Sequence, residues 1–514
     1  MKKRLGHICK KMLVLAAMAQ FGGQICGEVP VKYHISVTAQ ASSKSLAPYM
    51  LGSWNQGRYV EGSGIWQEAG LLKSLDMSKR FSWSAGVSYL AGIGSNTDYA
   101  RWNEKTETWG VNSARRNAFR ITQLFGELKY RAVYLTVGMK NSSSRILDDS
   151  LSSGDLTRSN NASPIPGIGA GFLDFVDIPF TNGWVQIDGE LMYGRMMDSD
   201  FKKREFNHFQ GVEALNLYYN YKRCYFRTNP DKNFHVTVGM QAAAMFGGTT
   251  FFYRNGKVYE TERRGFKFKD LFQAFFPQEG GEAYYEGSHL GSWDLKATYR
   301  FHDQSRLSAY FEWPWEDGSG IGKMNGWDGL WGIQYDFAKC GIVTKALVEY
   351  LDFTNQSGPI HYDPEDNPDS VITGHAQGAD NYYNNDFYGG YSNYGMSIGT
   401  PFLLSPIYNR NGMLSFLHNR ARGFHAAIEG NPTDRISYRL MFGYETAGGS
   451  GHVPDFRKSR STSAMLEGRM QPLRNAPGFE VGLKIAFDKG SLRGDNFGAQ
   501  LQVAYCGDFN IKKK

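Results

Sequence analysis

The chain has 514 residues, of which 60 are glycine and 15% are aromatic, with a hydrophobic fraction of 41% and a mean hydropathy of -0.45. It is too polar for a bundle of membrane helices and too long for one small soluble domain. It suits a closed barrel in which only alternate strand residues face lipid. The formal charge of +7 comes mostly from residues 1–27, which hold five basic side chains and no acidic ones, so the charge balance does not point to nucleic acid.

The first 27 residues read MKKRLGHICKKMLVLAAMAQFGGQICG. Lys2, Lys3, Arg4, Lys10 and Lys11 are followed by the apolar run Met12 to Ala19 and then by small residues. This is the pattern of a secretory signal peptide, with the barrel domain occupying 28–514. A buried N-terminal helix is the competing reading. The run is too short to span a bilayer, and the residues before Cys26 make a poor lipobox. Beyond the leader, Cys224, Cys340 and Cys506 share no metal-ligand or CxxC spacing. No apolar stretch of about 18 residues follows the leader, so no transmembrane helix is expected.

The strongest signal is a period of two. FSWSAGVSYLAG sets Phe81, Trp83, Ala85, Val87 and Tyr89 on one face and Ser82, Ser84, Gly86 and Ser88 on the other. WDLKATYRF, FHVTVGMQAAAMF, ISYRLMFGY, FEVGLKIAFDKG and GAQLQVAYC repeat the pattern. Alternation over about 8–12 residues marks strands that are wet on one face and apolar on the other. A soluble sandwich alternates too. These segments, however, reach the length of about 9–11 residues that a tilted strand needs to cross a bilayer, and they carry aromatic residues at their ends.

The predicted strands are 31–41, 63–75, 81–91, 119–130, 133–140, 171–179, 184–195, 209–226, 234–246, 288–301, 307–315, 327–337, 342–353, 424–430, 435–446, 461–470, 479–488 and 498–508. Short turns, at 229–233, 302–306, 338–341, 431–435 and 475–478, alternate with long connections at 92–118, 141–170, 247–287 and 354–423. The parity gives an even count of about 18, with short periplasmic turns and long external loops. Hydrocarbon offers no partner to a free backbone edge, so the sheet has to close. The expected fold is therefore all-β: a single transmembrane antiparallel barrel of about 18 strands, its lumen occluded by inward-folded loops.

Three stretches resist alternation: 45–60, 153–171 and 381–402. They are rich in Gly, Asn, Tyr and Pro, and they hold too many aromatics for disorder. Each is expected to fold into the lumen or cover its mouth. KFKDLFQAFF (267–276) reads as a short amphipathic helix or, equally, a β-hairpin.

LTRSNNASPIPGIGAGFLDFVDIPF, followed by WVQIDGELMYGRM, resembles the signature of the Wzi-type capsule assembly proteins. Its core is Ser159, Asn160, Asn161, Ala162, Pro164, Ile165 and Pro166. APYMLGSWNQGRY and YYNNDFYGGYSNYGMSIGTPF, the latter ending on Gly399, Thr400 and Pro401, are similar to two further segments of that family. By motif order the resemblance runs over residues 31–508. It implies an eighteen-stranded outer-membrane barrel, largely occluded, with a non-enzymatic role in holding capsular polysaccharide at the cell surface. The helical bundle that some members carry on the periplasmic face has no counterpart here.

Sugar binding needs flat aromatic faces together with amides and carboxylates for hydroxyls. Tyr382, Tyr383, Asn384, Asn385, Asp386, Tyr388, Tyr391 and Tyr394 supply both and form the candidate polysaccharide site. The competing reading is that they pack the plug. Asp155, Arg158, Asn160, Asn161, Pro164 and Pro166 form a second, lumen or plug motif, whose polar members either touch glycan or tie the loop to the wall. Asp188 and Glu190 share one strand face, like a glycosidase pair, but any wet barrel interior holds such carboxylates. GIGAG (167–171) opens no helix, which excludes a dinucleotide fingerprint. No P-loop or HExxH occurs.

The expected function is thus binding and retention of capsular or exopolysaccharide, without catalysis, metal or cofactor. The barrel is expected in the cell outer membrane, in contact with its lipid, as a monomer and without nucleic acid. The alternative is a porin-like channel for sugars or other small solutes. A barrel enzyme acting on lipid or glycan is a third class that no residue pattern favours.

Overall fold

The computed structural model describes residues 29–275, 287–316, 321–339, 341–358, 380–473 and 475–511. Residues 1–27, expected from the sequence to be a signal peptide, lie outside these residues, as do Cys340 and 359–379. Eighteen antiparallel strands close into one barrel. They are β1 (Val29–Ser42), β2 (Gly64–Lys73), β3 (Phe81–Gly94), β4 (Phe119–Tyr130), β5 (Val133–Met139), β6 (Gly167–Phe172, continued by Val176–Asp177), β7 (Val185–Arg195), β8 (Tyr218–Thr228) and β9 (Phe234–Phe246). The second half adds β10 (Ser288–Arg300), β11 (Arg306–Trp315), β12 (Gly329–Asp336), β13 (Lys345–Asp352), β14 (Ala421–Thr433), β15 (Ile436–Gly449), β16 (Pro454–Met470), β17 (Phe479–Gly490) and β18 (Asn496–Ile511). Each strand pairs with its sequence neighbours. β1 closes the ring against β18, in register from Val29↔Ile511 to Ser42↔Gly498. No helix among the described residues is long and apolar enough to cross a membrane.

Period two turns one face of every strand outward. Val133, Leu135 and Val137 on β5, Leu440, Phe442 and Tyr444 on β15, and Leu501, Val503 and Tyr505 on β18 are all exposed on the outer surface. In water such a band would be strongly unfavourable; against acyl chains it is the favoured surface. Aromatic rings flank it at both ends. Phe311, Trp313, Trp327 and Trp331 cluster near the end that carries the long connections. Tyr299, Phe301, Tyr335 and Phe337 cluster near the end that carries the short turns.

Among the described residues, the interior holds a packed apolar cluster. Wall residues such as Tyr219, Tyr221, Leu347 and Leu351 join Leu147, Leu151, Leu156, Tyr382, Tyr383, Phe402, Leu403 and Phe416 of the connections in one buried apolar cluster. The stretches 45–60 and 140–166, together with the described residues from 380 to 420, all leave and return at the long-loop end. They fill the bore. Segment 45–60 includes the single-turn α1 (Tyr49–Gly52).

The structure corrects several boundaries. The stretch 209–226 is two elements. Gly211–Leu215 leaves the wall and pairs with Gly248–Arg254, which in turn pairs with Lys257–Gly265 in a separate three-stranded sheet. The break falls at Asn216, in the left-handed conformation with φ 57°. Connection 92–118 forms a hairpin, Thr97–Asn103 against Thr108–Ala114. GIGAG lies in β6, where its glycines pair with β5 and β7, and not in the plug. Between helix and hairpin, residues Phe268–Phe275 take the helix, here α3; α2 spans Ser199–Glu205.

α3 lies against the outer face of β8 and β9. Lys222 on β8 pairs across the sheet with the exposed Leu191 and so points outward. Its ammonium donates to the Ala274 carbonyl at 2.8 Å, and Tyr193 donates its hydroxyl to the Leu271 carbonyl at 2.7 Å. Phe268 and Phe272, on the far side of the helix, are exposed.

Candidate functional site

The plug is built from two main segments that bond to each other and to the wall. In the first, Asp155 is an Asx-type anchor. Its Oδ1 accepts from the backbone N–H groups of Thr157 and Arg158 at 2.9 and 3.0 Å and from Gln241 of β9 at 2.8 Å; its Oδ2 accepts from the Ser144 hydroxyl at 2.8 Å. Arg158 forks onto both oxygens of Glu190 on β7, at 2.9 and 3.0 Å, with its guanidinium stacked 3.5 Å from the Tyr221 ring. Burial works to lower the Arg158 pKa, but Glu190 outweighs it and holds the group above its ordinary value. The Asn160 amide donates to the Asp149 carbonyl, and that of Asn161 to the Ser397 carbonyl at 2.9 Å. Pro164 is buried. The Pro166 carbonyl accepts the Arg195 N–H at 3.0 Å and so leads the extended chain into β6.

In the second segment Tyr382, Tyr383, Tyr388 and Tyr391 are all buried. Tyr382 donates to Asp328 at 3.0 Å and accepts from Asn325 at 2.9 Å. Tyr383 donates to the Leu156 carbonyl at 2.5 Å and accepts from the Thr400 N–H. Tyr391 donates to the Thr157 carbonyl at 2.8 Å and lies 3.1 Å from the Tyr219 hydroxyl. Burial pushes the hydroxyls of Tyr382, Tyr383 and Tyr391 well above the usual phenol range, so they act as neutral donors. Tyr394 is half-buried and donates to the Met197 carbonyl at 2.9 Å. Asn384 pairs both ways with the Phe416 backbone, at 2.9 and 2.8 Å. Asn385 caps the turn below Phe387 and Tyr388, and Asp386 is exposed.

The two motifs interlock. Ser159 donates its N–H to the Ile398 carbonyl at 2.9 Å and its hydroxyl to the Gly399 carbonyl at 2.7 Å. Thr400 donates to the Ser153 carbonyl at 2.9 Å. A Cβ on Gly399 would meet the Tyr383 hydroxyl at 2.2 Å and the Leu156 carbonyl at 2.3 Å, so the Gly-Thr-Pro step admits only glycine there. Gly154, at φ 109°, sits against Pro401 for the same reason.

Wall side chains grip this plug over the depth of the bore. On β13 Glu349 accepts from the Ser152 hydroxyl and the Ser153 N–H, both at 2.7 Å, and from Tyr310 at 2.5 Å. Glu312 on β11 accepts the Leu156 N–H at 2.8 Å. At the short-turn end Lys345 pairs with Asp148 at 2.7 Å, and Arg439 donates to the Ser150 carbonyl. The sequence reading missed these wall carboxylates. Parity in FEWPW and ALVEYLD places Glu312 and Glu349 on the inner face, and that was the available signal.

Asp188 and Glu190 do face the lumen, but both are saturated by arginine. Asp188 receives Arg145 at 2.7 Å and Arg223 at 2.8 Å; Glu190 receives Arg158 and, at 2.7 Å, Arg223. Neither carboxylate is free to act as a proton donor or nucleophile in this arrangement.

No family model matches the chain, and no curated protein matches it. Solved structures do. Wzi of Escherichia coli, described as an outer membrane protein involved in group 1 capsule assembly and a carbohydrate-binding β-barrel, superposes with a TM-score of 0.52 at 10% identity, over 91% of this chain and 83% of that one. OccAB2 of Acinetobacter baumannii gives 0.49 at 9% identity, over 95% and 100%. OccK3 of Pseudomonas aeruginosa gives 0.45 at 9%, over 93% and 96%. At these identities the likeness concerns the fold alone: the chain is built as an outer-membrane β-barrel.

Proposed function

We propose that this protein is exported to the outer membrane and holds capsular or exopolysaccharide at the cell surface, as a non-conducting, non-enzymatic barrel. The observation that carries this reading is the filled bore. Segments 45–60, 140–166 and the described part of 380–420 occupy the lumen with a buried apolar cluster, and wall carboxylates and cations bond to them from the long-loop end down to Ser150. A route for solutes needs a wet passage; a scaffold that displays a binding surface does not. The carbohydrate-binding description of the Wzi barrel agrees with this reading. At the plug edge the exposed Asp386 offers a carboxylate to sugar hydroxyls, while the amides of Asn384 and Asn385 hold the loop that carries it.

The test has two arms. In planar bilayers the purified protein is expected to show no stepwise conductance. Deletion of the gene in the host is expected to move surface polysaccharide from the cell-bound to the shed fraction. Steady ion-conducting steps with unchanged polysaccharide retention would overturn the proposal in favour of a porin.

A further inference from the structure

The three-stranded sheet that leaves the wall has two unlike faces. One face packs on the plug: Ala214 and Phe252 are buried, Phe252 meets the Phe387 ring edge-on at 5.9 Å, and Thr250 donates to the Phe387 carbonyl at 2.8 Å. The opposite face, together with the 97–114 hairpin and α2, forms a cavity of about 610 Å³. That lies within the range of about 300–1,000 Å³ typical of ligand pockets.

Its lining is chemically specific. Arg101 from the hairpin, Lys203 from α2 and Arg263 from the sheet all face it. None has an ion-pair or side-chain hydrogen-bond partner among the described residues. Glu213 lies in the floor, 3% exposed. Its Oε2 takes a long 3.4 Å bond from the Tyr253 hydroxyl, while its buried Oε1 has no partner. A buried carboxylate oxygen without a donor is costly unless something supplies one. The Tyr253 ring is held edge-on by Phe206 at 5.1 Å and His208 at 5.5 Å, which fixes its orientation towards the cavity. Three unpaired cations, one unpaired buried acceptor and a braced aromatic ring are the set that an anionic sugar would satisfy: charge for the cations, a hydroxyl for Glu213 and a C–H face for Tyr253.

We propose that this cavity binds acidic sugar residues of the surface polysaccharide. The anion lies among Arg101, Lys203 and Arg263, and a ring hydroxyl donates to Glu213. The inference rests on the retention reading above and adds to it the site and the substrate class. The probe is polysaccharide purified from the surface of the host bacterium, used native, after chemical reduction of its carboxyls, and after removal of its phosphates. It is titrated against the full-length protein in detergent micelles. Native material is expected to bind, and one of the two treatments to weaken binding about tenfold or more, which identifies the acid group. R101A/R263A is expected to weaken native binding by a similar factor at about 0.1 M salt and to leave the charge-stripped material unaffected. Glu213→Gln, which keeps the shape of the side chain, is expected to weaken both. If neither treatment changes the affinity, or if R101A/R263A binds as the parent does, this site is overturned while the retention reading stands. If the native polysaccharide does not bind at all, both fall.

Discussion

Glu349 shows how a single wall residue sets the stability of the interior. It is fully buried and serves three donors, one from the wall and two from the plug. Replacing it with alanine leaves those donors without an acceptor in a space closed to water. A loss of about 3 kcal/mol is expected, read as a lowered urea midpoint for the protein folded in lipid vesicles. Glu349→Gln, whose carbonyl still accepts, is expected to lose less. Asp149 acts in the opposite direction. Burial, with Asp148 and Asp155 close by, raises its pKa to about 6, against about 3.9 for an unfolded aspartate. The folded state therefore binds the proton more tightly. The contribution of this group is fully present below about pH 4 and is lost as pH rises through about 6. Amide exchange across 144–153, corrected for its intrinsic rate, is expected to show weaker protection at pH 7 than at pH 4.5. Asp149→Asn is expected to flatten that difference.

Among the elements, α3 carries the clearest consequence. Without it, the Lys222 ammonium on β8 would face hydrocarbon. A cation on the lipid face costs about 2–4 kcal/mol at the midplane and about 0–1 kcal/mol near the interfaces. Replacing 266–275 with a Gly/Ser segment of equal length is expected to destabilise the barrel by the amount set by the depth of Lys222 in vesicle unfolding. Adding Lys222→Met to the same background is expected to restore most of it. Lys222→Met in the intact protein should change little. The elements also show where sequence patterning fails. The residues of 209–226 alternate well enough to pass for one wall strand, yet the chain turns at Asn216 and sends its first part to a sheet on the plug. The partner strands of that sheet meet at Asn255-Gly256, with φ values of 51° and 77°. An Asn-Gly pair flanked by FFYR and KVYE is a strong hairpin signal, and it lay unread within a long connection.

At the scale of the whole molecule, closure was legible because it follows from two local regularities, period two and the alternation of short and long connections. Strands β4 and β9 begin and end where the pattern places them. The composition of the plug was legible in part: Asn and Pro in 153–166 and Gly, Asn and Tyr in 381–402 are out of place in a wall, whereas the glycines of 167–171 belong to β6. Its partners were not. Ser159 and Gly399 meet across 240 positions of chain, and Arg158 finds Glu190 only because β7 brings it round the ring. No local window contains such a contact. The acidic-sugar cavity is a further step removed, since its cations come from three separate connections. All the inward segments share one feature: each departs from and rejoins the same rim. The filling is therefore a cork and not a bolt. Among the described residues no part of it is threaded through the ring, so it can be drawn out on one side with every wall strand still paired, whereas a push toward that side and a pull from the other meet unequal resistance.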